Sequence, residues 1–541
     1  MSEQNQATAS DKQSLSIPTY LIMTLLTLCS IGPQYFLNLS YTVNQILVQN
    51  RFDTSTQSLL LPSIISNLAF GLGVPIGPAL TRKYGIRKTY LAFVLAFLVG
   101  SLINVFSLNI VALSIGRLIQ GLSSGMLFLT VLPVTLRSFP NKVRNFFLFM
   151  AIAGLFGSTA IGAFLGAVSL HMDQWRWIFL VGIAASVLCW LVGYKVFPQH
   201  DPNQHEEHPV DKKSIFILSL IMILLAFPLY QLQDKGFSSI YVWPFFVVAG
   251  GLVIIFILTD LAAKNPLIPL GALKATKPIL GTIMAIGGHM SYIVAIAGIN
   301  GVLRNVQNVS FSTLSYFYLC FFIGVVFSAL ISTFFYDKIG PGYLGVGGSL
   351  LVLFVAVSWI KVSADTSITS LYINVICFGA GVSMVLVSGA LGTALAGDLH
   401  QASMRSVSLH SIRNFFGAII APVLGWFVVR QNAVYYDNIR GQISETDPQV
   451  RLQLMDMIKH YMSTGMSQPD AKTAAVTAIV TSAKKTAILH AYHNLFFMLA
   501  ILGVIMLIAS LGKALSGKNR ALVKKEERMT LPAPETKKTS A

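Results

Sequence analysis

Arg117 stands in the apolar run "NIVALSIGRLIQGLSSGMLFLTVLPV", which begins at Asn109. A guanidinium stays charged at any physiological pH, and exposing one to hydrocarbon costs several kcal/mol. Arg117 is therefore expected to turn inward and find oxygen partners. Arg304 and Arg413 lie in or at the edges of other apolar runs, as do His289, His410, His490 and His493. Gln34, Asn38, Tyr41 and Gln45, at spacings of four, three and four, share one face of a helix. Together these groups can line a polar path through an apolar body and hold an anion there. The histidines add a group that titrates near neutrality, with an ordinary pKa of about 6.5. His289 ("GGHMSYIVA") and His410, three residues before Arg413 in "SLHSIRNFFG", are the best placed to carry a proton. Two plainer readings stand beside this one. Arg117 can be a structural arginine bonded to carbonyls of a neighbouring helix, and the stripe can be hydrogen-bonding glue between helices, most readily for Asn38 alone.

Acids are missing where a cationic solute would need them. Asp260 and Asp398 come closest to the interior of an apolar run, and both fall near its end. A cavity with cationic and amide groups but no carboxylate repels lipophilic cations in a poorly screening medium. It suits anionic, zwitterionic or neutral amphipathic solutes. The same scan finds no paired carboxylates, metal-ligand cluster or activated nucleophile, so no enzyme, cofactor or metal is expected. Cys29, Cys189, Cys320 and Cys377 all sit in apolar runs and read as buried small hydrophobes. "GLGVPIG", Gly71 to Gly77, is glycine-rich but lies inside a run and lacks a lysine. It reads as a helix-packing surface rather than a phosphate loop.

These groups need a scaffold, and composition says what kind. Of 541 residues, 54% are hydrophobic and 11% charged, against roughly 25% charged in a soluble domain. Apolar runs of about 20 residues, long enough to cross a bilayer as a helix, recur along the chain. Fourteen spans are expected to start near Ile17, Gln57, Lys88, Asn109, Val143, Trp175, Lys213, Ser238, Ile279, Thr313, Gly342, Ile368, Val407 and Ala487. The first is too long for a signal peptide and is expected to stay in the protein. The net charge of +17 collects in the C-terminal tail and in loops after even-numbered spans, such as "RKYGIRK" and "RSFPNKVRN". That is the positive-inside pattern rather than a nucleic-acid face, and it places both termini in the cytoplasm.

The expected organisation is a tail over 1–16, six spans over 17–200, two inserted spans over 201–275, six spans over 276–512 and a basic tail over 513–541. A long outer loop, 431–485, falls before the last span. Its segments "DPQVRLQLMDMIKHYM" and "SQPDAKTAAVTAIVTSAKKTA" predict two amphipathic helices, either a cap on an outer vestibule or a solvated hairpin. The chain also repeats itself weakly. Superposing Gly85 of "ALTRKYGIRKTYL" on Gly340 of "FFYDKIGPGYL" pairs Lys83 with Lys338 and Arg82 with Asp337. Corresponding loops are the trace left by a transporter built from structural repeats.

The motifs resemble the major facilitator superfamily, and within it the 14-helix drug:proton antiporter branch, over essentially the whole chain. "RLIQGLSSG" is similar to the family's fourth-helix motif R-x-x-Q-G-x-x-x-G, and "WRWIF", Trp175 to Phe179, opens the sixth span as in that branch. "GIRK" matches the tail of the inner-loop motif. "GAFLGA", "TDLAAKNPLIPL" and "AYHNLFFMLA" are similar more weakly, in the right places. The resemblance implies an all-α polytopic membrane protein with the major facilitator fold, two six-helix halves plus two inserted helices. It implies that Arg117, with Gln120, lines the central cavity and is tied to coupling. Tyr292, Arg304 and Asn494 join the histidines, Arg413 and the span 1 stripe in that expected cavity. Gly77, Gly85, Arg87, Lys88, Asp337 and Gly340 are the expected gating positions. Gly121, Gly125, Gly162 and Gly166 are expected to let helices approach closely.

Departures from the family pattern matter as much. The first span, "IGPQYFLNLSYTVNQIL", lacks the usual acid, and Asn494 in "AYHNLF" stands at another usual aspartate. The inner-loop aspartate is replaced by Arg82 in the repeat alignment, or by Thr81 when Gly77 is the anchor. On span 5 the antiporter motif's Gly-Pro and Gly-Gly become Gly162-Ala163 and Gly166-Ala167. The expected function is a secondary-active exporter of small molecules, working by alternating access in a bacterial inner membrane with protons as a candidate coupling ion. The alternatives are a multidrug antiporter of broad or cationic specificity, a facilitator or importer on the same scaffold, and a non-transporting receptor supported only by the long outer loop.

Overall fold

The computed structural model describes residues 17–198, 210–397, 401–443, 448–517 and 522. The expected tail 1–16, most of the basic tail 513–541 and Asp398 lie outside the described residues. Among the described residues, fourteen helices are long and apolar enough to cross a bilayer. Spans 1 to 7 are Thr19–Phe52, Ser58–Tyr84, Ile86–Val105, Ile110–Ser138, Phe146–His171, Trp177–Val196 and Lys212–Lys235. Spans 8 to 14 are Trp243–Ala262, Thr276–Val306, Phe311–Ile339, Pro341–Ile360, Ile368–Ala394, Ala402–Gln442 and Gln468–Leu515. All but the last begin close to the expected start. A backbone in lipid must satisfy its own polar groups, so each apolar run becomes a helix.

Span 14 begins at Gln468, well before Ala487, and span 13 runs on to Gln442. Between them lies one short separate helix, Pro448–Ser463. Of the two helices expected in 431–485, this is the first; the second is a continuous extension of span 14. Its alanine-rich turns favour helix without being apolar enough to register as membrane.

Spans 1 to 6 pack on one another, as do spans 9 to 14. The two halves meet where span 5 lies against span 10 and where span 2 lies against span 13. Spans 7 and 8 pair together, and span 7 lies against both spans 2 and 13 at that second seam. Small residues set the closest contacts. A Cβ at Gly77 would overlap the backbone of Met126, one at Gly121 that of Ser66 and one at Gly125 that of Phe70, so spans 2 and 4 touch backbone to backbone. Gly162 and Gly166 do the same for span 5 against Phe36 and Ser40 of span 1.

The internal repeat is visible at two helix ends. Gly85 (φ 82°, ψ 155°) and Gly340 (φ 87°, ψ 164°) close spans 2 and 10 in a conformation that glycine adopts without strain. Each donates its N–H to the carbonyl four residues back, Thr81 and Tyr336, at 2.9 Å. Both lie on the face where span 1 begins and span 14 ends, the terminal face.

Candidate functional site

Arg117 lies about 10 Å along span 4 from its first residue. It is fully buried. Its Nη2 donates to Asn38 Oδ1 at 3.0 Å and its Nη1 to Gln120 Oε1 at 3.5 Å. Asn38 Oδ1 also accepts from Gln34 Nε2 at 3.1 Å, and the same amide reaches Ser66 Oγ at 2.9 Å. Gln120 Oε1 accepts from Asn104 Nδ2 at 2.6 Å, while its Nε2 donates to Ser101 Oγ at 2.8 Å. The guanidinium sits 5.9 Å from the centre of the Tyr41 ring. Tyr41 Oη and Gln45 Nε2 both donate to the Leu59 carbonyl, at 3.0 and 3.2 Å. The stripe on span 1 is thus bonded to spans 2 and 4 along its length, as hydrogen-bonding glue would be, and it presents its oxygen to the buried charge. Every partner is a neutral dipole from spans 1 to 4.

A second cationic cluster lies at the seam. Arg413 sits about 16 Å along span 13 from its start. It is 5% exposed, and its Nε has no hydrogen-bond partner. Its Cζ lies 5.9 Å from the centre of the Phe128 ring on span 4, and it faces the Tyr35 hydroxyl on span 1. His410, one turn earlier, stands edge-on to Phe128 at 5.0 Å, with Nδ1 buried and unpartnered. His289 of span 9 fits against Gly417, where a Cβ would overlap the imidazole. Both histidines lie within electrostatic range of Arg413. Tyr35, Phe70 and Phe128 form a three-ring cluster with centroids 5.9 to 6.4 Å apart. The first half therefore offers rings to this seam, and the second half offers cations.

The remaining expected residues lie elsewhere. Tyr292 stacks on Phe321 at 6.2 Å and meets Phe156 edge-on at 5.4 Å, at the other seam. Arg304 lies in the π turn that closes span 9. Asn494 Nδ2 donates to Gln431 Oε1 at 3.2 Å and to Tyr435 Oη at 3.1 Å on the extension of span 13. Both are at the face opposite the termini, apart from the two arginine clusters. His493 Nε2 meets the Val362 carbonyl at 2.8 Å, and His490 lies beside the Tyr435 ring. At the gating positions Arg87 covers the Tyr194 ring at 4.4 Å and Lys88 is exposed. Thr81 Oγ1 shares hydrogen bonds with Thr89 and Thr130, at 3.2 and 3.1 Å, so neutral hydroxyls meet near the end of span 2. Asp337 accepts a hydrogen bond at 2.8 Å from the backbone of Leu522.

Among the described residues no carboxylate enters either arginine cluster. Asp260 is buried two residues before the end of span 8 and accepts the Leu267 and Ile268 N–H groups at 2.8 and 3.2 Å, which folds the following loop back. Sequence reasoning missed Ser66, Ser101, Asn104, Tyr35, Phe70, Phe128 and Gly417. Asn104, a polar residue in an apolar run, carried a signal; the rings and Gly417 carried none, because only tertiary packing brings them to Arg413.

The family model for the Major Facilitator Superfamily matches residues 23–425. The chain belongs to the major facilitator superfamily. It is 29% identical over 523 residues to the uncharacterized MFS-type transporter YubD of Bacillus subtilis (strain 168), covering 96% of this chain and 94% of that one. It is 28% identical over 223 residues to the quinolone resistance protein NorB of Staphylococcus aureus (strain MW2), 41% of this chain and 48% of that one. The human organic anion transporter MFSD10 (TETRAN) superposes with a TM-score of 0.52 at 13% identity, over 90% of this chain and 100% of that one, a likeness of fold alone. As a member of the superfamily the chain is an integral, multi-pass membrane transporter. Members of the family are transporters rather than enzymes.

Proposed function

We propose that this transporter is a secondary-active exporter that moves anionic, zwitterionic or neutral amphipathic small molecules by alternating access. The observation that supports it most is the pair of buried guanidiniums, Arg117 and Arg413, with no carboxylate beside either among the described residues. At an effective dielectric of about 20, two unit charges 4 Å apart interact by roughly 4 kcal/mol. Two uncompensated cations therefore favour a carboxylate and disfavour an ammonium. The rings of Tyr35, Phe70 and Phe128 supply apolar surface for the rest of an amphiphile. His289 and His410, beside Arg413, are the groups proposed to couple transport to protons. The basic loops support a bacterial inner membrane with the termini in the cytoplasm.

The test is transport in reconstituted liposomes under an imposed pH gradient, with size-matched anionic, neutral and cationic solutes. Organic anions should cross at least about tenfold faster than cations, the ratio that ~1.4 kcal/mol of charge preference produces. Equal rates would favour a multidrug antiporter of broad or cationic specificity. Likeness to NorB and the three-ring cluster, on which a cation could stack, support that second reading.

A further inference from the structure

Leu522 lies five residues beyond Gly517, the positive-φ turn just past the end of span 14. Its backbone N–H donates to Asp337 Oδ1 at 2.8 Å, and its carbonyl accepts from Arg144 Nη1 at 3.4 Å. Asp337 is in the last turn of span 10, in the second half, and Arg144 is in the loop between spans 4 and 5, in the first half. The Leu522 side chain is 4% exposed. It joins the hydrophobic cluster that includes Tyr336 and against which Leu136 and Phe149 pack. Leu522 thus bonds both halves through its main chain and buries its side chain, all on the terminal face. Span 14 is itself moored nearby, where Lys513 Nζ donates to the Lys277 and Gly392 carbonyls at 2.6 and 2.9 Å. Arg144 is braced by the Phe139 carbonyl and Asn141 Oδ1, each at 3.4 Å.

We infer that Leu522 is a clasp that holds the two halves together on the terminal face, fastened between Arg144 and Asp337. Alternating access requires that face to open, so this contact must be released once in each cycle. Such a clasp sets the population of the state closed on the terminal face and slows departure from it. The inference rests on the alternating access of the proposed function and is independent of the solute.

The test measures the distance between spin labels on Lys142→Cys and Lys338→Cys, one on each half, in lipid nanodiscs without solute. Cys29, Cys189, Cys320 and Cys377 are replaced by serine in this background. Ending the chain at Gly517, or introducing Leu522→Asp in the full chain, should raise the population of long distances about tenfold, as loss of a buried leucine contact predicts. Leu522→Ala should raise it less. Distance distributions unchanged in both the truncated chain and Leu522→Asp would overturn the inference. If the truncated chain does not fold, Leu522→Asp alone decides, provided its thermal unfolding matches that of the full chain. Equal transport of anions and cations would leave this readout unaffected.

Discussion

Arg117 and Arg413 are the same residue buried in the same protein, yet their surroundings differ in kind. Arg117 is held from one side: Asn38, Gln120 and the Tyr41 ring all belong to the first half. That network can travel as a unit when the halves move. Arg413 belongs to the second half and looks across the seam at Tyr35 and Phe128. Its contacts must change when the seam opens. On the proposed function, one guanidinium is a fixed charge that sets the sign of the path, and the other exchanges protein neighbours for a solute.

The largest effect should therefore fall on a neutral residue. Asn38→Ala strips Arg117 of its 3.0 Å acceptor and leaves the 3.5 Å contact to Gln120. Removing the partner of a buried charge costs roughly 3–5 kcal/mol. Arg117→Leu should cost less, because Gln34 still donates to Asn38 and Asn104 still donates to Gln120. Thermal unfolding in detergent should rank Asn38→Ala as the less stable, and the double variant should recover much of the loss. Simply additive losses would mean that Arg117 does not depend on Asn38.

Arg413 should show the converse pattern. A charge-assisted hydrogen bond to solute contributes about 1.5–3 kcal/mol, so Arg413→Ala should slow anion flux roughly 10- to 100-fold while unfolding stays near that of the parent. Arg413→Lys keeps the charge without the planar fork and should fall between. A variant that unfolds early yet carries anions normally would assign Arg413 to packing and erase the contrast with Arg117.

The smallest effect expected is on coupling alone. Replacing His289 and His410 together by Asn should leave anion exchange at a fixed, mildly alkaline pH near the parent rate. Stimulation by a pH gradient should disappear. Gradient-driven flux that survives both substitutions would remove histidine from the coupling step.

The fold was largely legible because lipid enforces one rule: an apolar run must be a helix. Where the rule does not reach, the reading failed. Gln468 to Ala487 is helical through alanine propensity rather than hydropathy, so its helicity was legible but its continuity with span 14 was not. Spacing on one helix revealed the shared face of Gln34, Asn38, Tyr41 and Gln45, but not that Ser66 and the Leu59 carbonyl would bind three of them. Arg304 closes span 9 and Asn494 bonds the extension of span 13, contacts between helices that spacing within one run does not reveal. The Gly85 and Gly340 pairing was legible because a positive-φ turn restricts residue type in the sequence itself.

The most direct measurement is competition for entry into reconstituted liposomes, at equal pH on both sides, between an aryl carboxylate and an aryl quaternary ammonium of the same size. A path whose buried charges are Arg117 and Arg413 should pass the carboxylate and largely exclude the ammonium, and Arg413→Glu should reverse that order. Equal entry of the two, or an order that Arg413→Glu leaves unchanged, would contradict a positively charged path.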